Sequence, residues 1–303
     1  MIRHLFTLAR ISNLPTVWSN VIAAWLIGGG TLLSPVLAAV MAGASLIYAA
    51  GCTLNDALDA RWDAQHRPDR VIPSGGMSLR AVWLAGVLEM LAGLACIIAA
   101  APGTVLSALT LAACILLYDS WHKQSPLSVI IMGACRWLLY AVAGAAAGNI
   151  LPAMAGGAVV WLYIIVLSLI ARGEATRAEH TPRSRWLILL IPVSLVILAA
   201  VAHGSGSLQI PSWDNLPSSA SRWRYWLLLL SPALAFGLMA AILVTTLLPR
   251  PVKPGPAVNL MLASIPLLDG CVLAALTGWH PALALSVAGF LLARAMQRWF
   301  SAT

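Results

Sequence analysis

Charge is what this sequence has least of. In 303 residues there are 10 acidic side chains and 18 Lys or Arg, so charged residues make up 9% of the chain, whereas a soluble domain carries about 25%. With 60% of residues hydrophobic and a mean hydropathy of +0.88, lipid must be the solvent for most of the length. The short alternating segments of a membrane barrel are missing, which excludes that way of satisfying the backbone in lipid. Cysteine is sparse at 5. Cys52, Cys96, Cys114, Cys135 and Cys271 stand inside or at the edge of apolar segments, none at metal spacing, and read as small core residues. No low-complexity tract or soluble domain interrupts the pattern. What remains is an all-α class: a polytopic membrane helical bundle, expected as one domain over residues 1–303.

The apolar segments fall at 14–31, 35–54, 79–101, 103–118, 127–148, 152–171, 185–203, 223–248, 258–277 and 281–296. They predict nine or ten transmembrane helices, the last being either a tenth span or a helix lying in the interface. The first follows Arg3 and Arg10, contains Pro15 and Asn20, lacks a convincing cleavage site, and reads as an uncleaved anchor. A net charge of +8 does not point to nucleic acid, because the cations are scattered among loops. Arg61, Arg67, Arg70, Arg80, Lys123, Arg172, Arg177, Arg183, Arg185, Arg250 and Lys253 follow the second, fourth, sixth and eighth segments; only Arg222 and Arg224 lie opposite. Cytoplasmic loops accumulate Lys and Arg, so the expectation is a multi-pass protein of the cell inner membrane with the first group of loops cytoplasmic. Trp62, Trp121 and Trp223, at span ends, read as interface anchors.

Against this scarcity of acid, NDALDARWD at residues 55–63 holds three of the ten carboxylates, and Asp69 follows. If the second helix continues through residue 63, Asn55, Asp56, Asp59 and Asp63 point within a sector of about 100°. Three carboxylates on one patch repel each other unless a cation sits among them. Mg2+ takes oxygen ligands and is often held by one or two carboxylates together with substrate phosphates. The plainer alternative is a solvated acidic helix end, although carboxylates at a helix C-terminus oppose its dipole. RPDRVIPSG at 67–75 then adds arginines, which suit bidentate phosphate recognition. Together they suggest a diphosphate clamped, with its Mg2+, between Asp56, Asp59, Asp63 and Arg70.

The pattern Asn-Asp-x-x-Asp-x-x-x-Asp at the end of the second span, followed by Arg-x-x-Pro-Ser-Gly, resembles the first aspartate-rich motif of the UbiA family of intramembrane prenyltransferases. The resemblance implies a helical bundle around a central cavity open to lipid. It further implies Mg2+-dependent transfer of a prenyl group from a polyprenyl diphosphate to an aromatic or hydroxylated acceptor in the membrane. Arg10 and Asn20 resemble first-span residues lining the family's acceptor pocket; an interfacial Arg and a helix-packing Asn are the alternative. Tyr118 and Lys123 resemble the family's Tyr-x-x-x-Lys element with one residue more, and Asp119 between them is a further potential ligand. The family's second aspartate-rich motif is replaced by RGEATRAEH at 172–180. Glu174 and Glu179 lie about 140° apart on a helix, so Glu174 alone is a candidate there, with Arg172 and Arg177 supplying positive charge directly. With MGACR at 132–136, this resembles a divergent, EboC-like branch.

Three more charges lie at membrane depth, where charge is costly and points to function. Arg136 reads either as a cavity cation for the diphosphate or an acidic acceptor, or as the buried partner of Asp269 or Glu89. Those two acids read as structural partners. In the implied reaction Mg2+ on Asp56, Asp59 and Asp63 holds the leaving group, while Lys123, Arg70 and Arg172 stabilise its charge. Tyr118 presents its ring face to the allylic cation. Two other readings stay open. One is a CDP-alcohol phosphatidyltransferase, whose motif begins Asp-Gly and is not reproduced here. The other is a non-catalytic transporter or assembly protein that keeps a metal site.

Overall fold

The computed structural model describes residues 2–175, 183–204, 230–237, 240–241, 254–279 and 281–299. Among them there is no strand. The helices are α1 (Ile2–Leu8), α2 (Leu14–Ile27), α3 (Pro35–His66), α4 (Leu79–Ala100), α5 (Val105–Trp121), α6 (Ser128–Ala147), α7 (Ile150–Ala175), α8 (Leu190–Gly204), α9 (Pro254–Ala263), α10 (Ile265–Thr277) and α11 (Pro281–Trp299). Residues 230–237 are also helical. Most of the apolar segment expected at 223–248 lies outside the described residues.

Local chemistry sets the boundaries. Ser34 and Pro35 open α3, proline taking a first-turn position whose N–H has no helical partner anyway. The Ser78 hydroxyl caps α4 by accepting from the Ala81 N–H at 3.3 Å. Gly148, at φ 103°, turns the chain from α6 into α7, a conformation that costs glycine little.

Six helical stretches are long and apolar enough to cross a membrane: Pro35–His66, Leu79–Ala100, Pro102–Trp121, Ser128–Ala147, Ile150–Arg172 and Val258–Thr277. Ile11–Ile27 and Trp186–Ala202 are shorter apolar helices. On α4, Leu84, Leu88 and Leu91 are 61%, 56% and 58% exposed. They form a one-sided leucine stripe that only lipid can cover without cost. The chain is an integral membrane protein.

Two helical hairpins, α3–α4 and α6–α7, flank α2, which packs on α3, α6, α7, α10 and α11. At the centre of the first hairpin, a Cβ on Gly43 would lie 2.8 Å from the Gly93 carbonyl oxygen, and one on Gly93 would lie 2.7 Å from that of Gly43. The two backbones therefore touch, as small residues permit between membrane helices. This close packing fixes α3 along its length. At about 1.5 Å per residue its 32 residues reach roughly 48 Å, well beyond a hydrocarbon core of about 30 Å. Its acidic last turns therefore extend past the apolar layer while remaining one rigid helix.

Candidate active site

A chamber of about 890 Å3 opens between these helices. Val17, Ala44, Ile47, Leu111, Ile115, Leu139, Ile164 and Leu167 give it an apolar wall. The ends of α3, α5 and α7 give it a polar floor: Asn55, Asp59, Trp62 and Asp63, then Arg67 and Arg70, with Tyr118, Asp119, His122, Lys123 and Arg172. One continuous helix carries both regions. Ile47 and Asp59 are twelve residues apart on α3, about 18 Å along its axis.

On the floor every ionic contact pairs an α3 carboxylate with a cation from another segment. Asp56 Oδ1 receives Arg10 Nη2 at 3.1 Å and Arg70 Nη1 at 2.9 Å. Asp59 Oδ1 meets Lys123 Nζ at 2.7 Å, and its Oδ2 lies 3.4 Å from His122 Nε2. The Asp59 carboxylate beside it holds the His122 pKa above its ordinary value. Lys123 also sits 4.2 Å from the centre of the Trp62 ring, and Tyr118 stacks on His122 at 5.3 Å. Arg10 reaches Asp56 from a left-handed backbone at φ 44°, ψ 50°, an uncommon conformation for a residue with a Cβ. Asp63 lines the chamber one turn beyond Asp59 and is buried.

Asn55 donates to Asp119 Oδ1 at 3.1 Å, while Asp119 Oδ2 is buried without a hydrogen-bond partner. An orphaned carboxylate oxygen is costly unless a donor or cation reaches it. Among the described residues no three His, Cys, Asp or Glu side chains are already gathered at metal-binding geometry. The donor set facing the chamber, Asp59, Asp63, Asp119 and the Asn55 amide, is nevertheless all hard oxygen with one carboxylate oxygen unused. That is the chemistry Mg2+ takes. Asp56 stands behind this surface, held by its two arginines.

Arg136 projects into the chamber from the middle of α6. It donates to the Thr16 carbonyl at 3.2 Å, the Thr16 hydroxyl at 3.0 Å and Asn20 Oδ1 at 2.7 Å. Asn20 lies one layer behind it and is bound in turn to Asp269. Glu89 keeps one oxygen buried and unbonded, and among the described residues it forms no ion pair with Arg136. Arg172 donates to the Ser125 and His122 carbonyls and the Ser128 hydroxyl at 3.3, 2.9 and 2.6 Å. It thus pins the loop that carries Lys123 while lining the chamber. The side chain of Glu174 and all of Arg177 and Glu179 lie outside the described residues.

Sequence reasoning missed His122, which meets Asp59, Thr16, which binds Arg136, and the Ser19 and Tyr140 hydroxyls, which donate to Asp269. The available signal was one-turn spacing at membrane depth: Thr16 with Asn20, and Arg136 with Tyr140, each polar pair sharing a helix face.

A family model described as the UbiA prenyltransferase family matches residues 13–250. Digeranylgeranylglyceryl phosphate synthase of Methanoregula boonei is 30% identical over 219 residues, covering 69% of this chain and 77% of that protein. 4-Hydroxybenzoate octaprenyltransferase of Pectobacterium atrosepticum is 29% identical over 147 residues, 47% of this chain and 50% of that one. Among solved structures, one concerning digeranylgeranylglyceryl phosphate synthase superposes with a TM-score of 0.64 at 18% identity, covering 95% of this chain and 99% of the other. A UbiA homolog from Archaeoglobus fulgidus bound to DMAPP and Mg2+ gives 0.59 at 13% identity, covering 93% and 99%. At these identities the structural likeness is one of fold.

Proposed function

Because the chain belongs to the UbiA prenyltransferase family, we propose that it moves a prenyl group from a polyprenyl diphosphate to an aromatic or hydroxylated acceptor within the membrane, with Mg2+ bound at the chamber floor. The observation that carries this reading is a row of carboxylates paired with cations (Asp56 with Arg10 and Arg70, Asp59 with Lys123) at the polar end of a greasy chamber. A diphosphate lipid has that same division, a highly charged head on an apolar tail. CDP-alcohol chemistry and a purely transporting role have no comparable support in the chamber or in the family.

In this reading Asp59, Asp63 and Asp119 would hold the metal, with the Asn55 amide beside them and Asp56 joining as its arginines turn to the diphosphate. Bound there, Mg2+ would add positive charge to the leaving group. Lys123 and Arg70 stabilise the same charge as the allylic C–O bond breaks and its electron pair leaves with diphosphate. Preorganised charge of this kind is usually the largest single catalytic contribution. Arg172 acts on Lys123 through the loop it pins, and directly from the chamber wall. The apolar wall excludes water that would quench the allylic cation, and Tyr118 faces it with a ring. The acceptor oxygen or ring carbon then forms the new bond and loses a proton. We place the floor on the cytoplasmic side, following the arginine-rich loops.

The test is transfer by the purified full chain in nanodiscs, from radiolabelled geranyl or geranylgeranyl diphosphate to 4-hydroxybenzoate or a monoalkylglyceryl phosphate. Mg2+-dependent formation of a prenylated product supports the reading. Prenyl transfer undiminished in both Asp59→Asn and Lys123→Met would overturn the site.

A further inference from the structure

Arg136 lines the chamber from within the membrane-spanning helix α6, and its surroundings are arranged unusually. Its guanidinium is held by neutral acceptors only, two on Thr16 and one on Asn20. The Tyr48 ring adds a cation–π contact at 5.7 Å. Among the described residues no carboxylate forms an ion pair with it. A guanidinium has five N–H donors, and three are engaged in these bonds, so two remain.

One amide away lies the balancing charge. Asp269 on α10 is 2% exposed and accepts from the Ser19 hydroxyl at 2.5 Å and the Tyr140 hydroxyl at 2.6 Å. Asn20 Nδ2 spans its two oxygens at 2.8 and 2.9 Å. A carboxylate only accepts, and an Asn side chain has one donating and one accepting end. With Asp269 taking the donor end, the Asn20 carbonyl is compelled to face α6, where Arg136 binds it. Tyr140, one turn beyond Arg136 on α6, ties the same helix to Asp269 directly. Thr16 and Asn20 thus hold the guanidinium directly, and Asp269, itself bound by Ser19 and Tyr140, fixes Asn20 without neutralising Arg136 by contact. A directly paired Asp would stabilise Arg136 equally well, but it would occupy the cation.

We infer that Asp269 is a positioning residue for the acceptor: through the Asn20 amide it presents Arg136 to the chamber as an unneutralised cation, there to bind a carboxylate or phosphate group on the acceptor. This rests on the prenyl-transfer reading and gives its acceptor a chemical class. The acceptor is an anionic amphiphile, its negative group at Arg136 and its nucleophilic atom toward the floor.

The decisive variant exchanges the two groups, Asn20→Asp with Asp269→Asn. The swap keeps the same atoms and charge count, and the new amide at 269 donates to the new carboxylate at 20; Tyr140 keeps its acceptor, while Ser19, which also donates to the Thr16 carbonyl, turns to accept from the amide. The swap places the carboxylate directly on Arg136. The expected result is a thermal midpoint close to that of the native chain, with an acceptor KM raised about ten- to a hundredfold, the span of one charge-assisted bond. Donor KM should not change, and methyl 4-hydroxybenzoate, a neutral acceptor, should be unaffected. Parallel arms with 4-hydroxybenzoate and a monoalkylglyceryl phosphate tell which anion the subsite takes. Asp269→Asn alone should raise acceptor KM as well. Native acceptor KM in the swapped variant, or equal changes in donor and acceptor KM, overturns the inference by leaving Asp269 a packing role. If the native chain transfers to no acceptor, the prenyl-transfer reading fails instead. Retention of radiolabelled 4-hydroxybenzoate then decides this subsite: loss in the swap and in Arg136→Gln supports it, and equal retention refutes it.

Discussion

Asp59 and Lys123 face each other at 2.7 Å across the chamber floor, a carboxylate proposed to hold metal neutralised by an amine proposed to hold phosphate. Asp56 repeats the relation with Arg10 and Arg70. Each pair is a contact that a metal diphosphate replaces with a better one: the acid gains a divalent ion and the cation gains a phosphate. These pairings keep both halves of the site charged and close together.

Removing one half should separate chemistry from stability. The Lys123 side chain is 34% exposed and that of Asp59 15%, so the pair is partly screened and contributes about 1 kcal/mol or less to folding. Asp59→Asn and Lys123→Met should each melt within a few degrees of the native chain. Both should lower prenyl transfer by about 100-fold or more, the scale of losing one preorganised electrostatic contact. A melting curve beside a radiolabel assay measures the two effects independently.

If the floor exchanges partners on binding, metal and diphosphate must bind cooperatively. Mg2+ alone meets Asp56 and Asp59 already paired with cations, and pyrophosphate alone meets Arg10, Arg70 and Lys123 already paired with carboxylates. Thermal shift with inorganic pyrophosphate should show little change from either ligand singly and a clear rise from both. At saturation near 100 times the dissociation constant, the pair is expected to add about 2.7 kcal/mol. Mn2+ should substitute for Mg2+, and EDTA should abolish the joint effect. Equal shifts from pyrophosphate with and without metal would mean that the cations bind the diphosphate unaided.

The sequence made the helices and the floor legible for different reasons. Apolar runs located α4, α6, α7 and the start of α3 to within a few residues, because lipid imposes length and composition at once; the second run stops at residue 54, well short of the end of α3 at His66. The continuation of α3 through residue 63 was a condition rather than a deduction: because it holds, Asn55, Asp56, Asp59 and Asp63 fall within a sector of about 100°. The pairing of Asp56 with Arg10 was not legible, since it depends on the left-handed turn at Arg10 and the docking of the N-terminal segment on α3. Arg136 was visible as a charge at membrane depth, but its environment joins α2, α6 and α10, and no local pattern encodes that meeting. The residues that replace the second acidic motif have no shared helix face to read in the sequence, and the Glu174 side chain lies outside the described residues.

Orientation gives a prediction that is independent of activity. The 67–78 loop follows α3 on the side rich in arginine, and Asp69 there is exposed; Leu33, between α2 and α3, is 99% exposed on the opposite side. In inverted and right-side-out bacterial inner-membrane vesicles, Asp69→Cys should react with a membrane-impermeant maleimide from the cytoplasmic face only. Leu33→Cys should react from the other face only. The native cysteines are buried or half-buried, so a background variant lacking them sets the baseline. The reverse labelling pattern would show that the arginine count does not orient this chain.

Asp56 should behave differently from Asp59, and the difference follows from what surrounds it. Its side chain is 9% exposed and holds two guanidiniums that are 26% and 22% exposed, so its loss leaves two half-buried cations side by side. That repulsion falls between the small cost of breaking a surface pair and the several kcal/mol of breaking a buried one. Asp56→Asn should therefore destabilise by about 2 kcal/mol as well as abolish transfer. The double variant Asp56→Asn with Arg10→Gln should regain most of that stability, because one cation no longer faces another, yet remain inactive. Recovery of melting without recovery of turnover is the expected signature of a carboxylate that first braces the arginines and then serves the metal. Recovery of both would assign Asp56 to bracing alone and leave the metal to Asp59, Asp63 and Asp119.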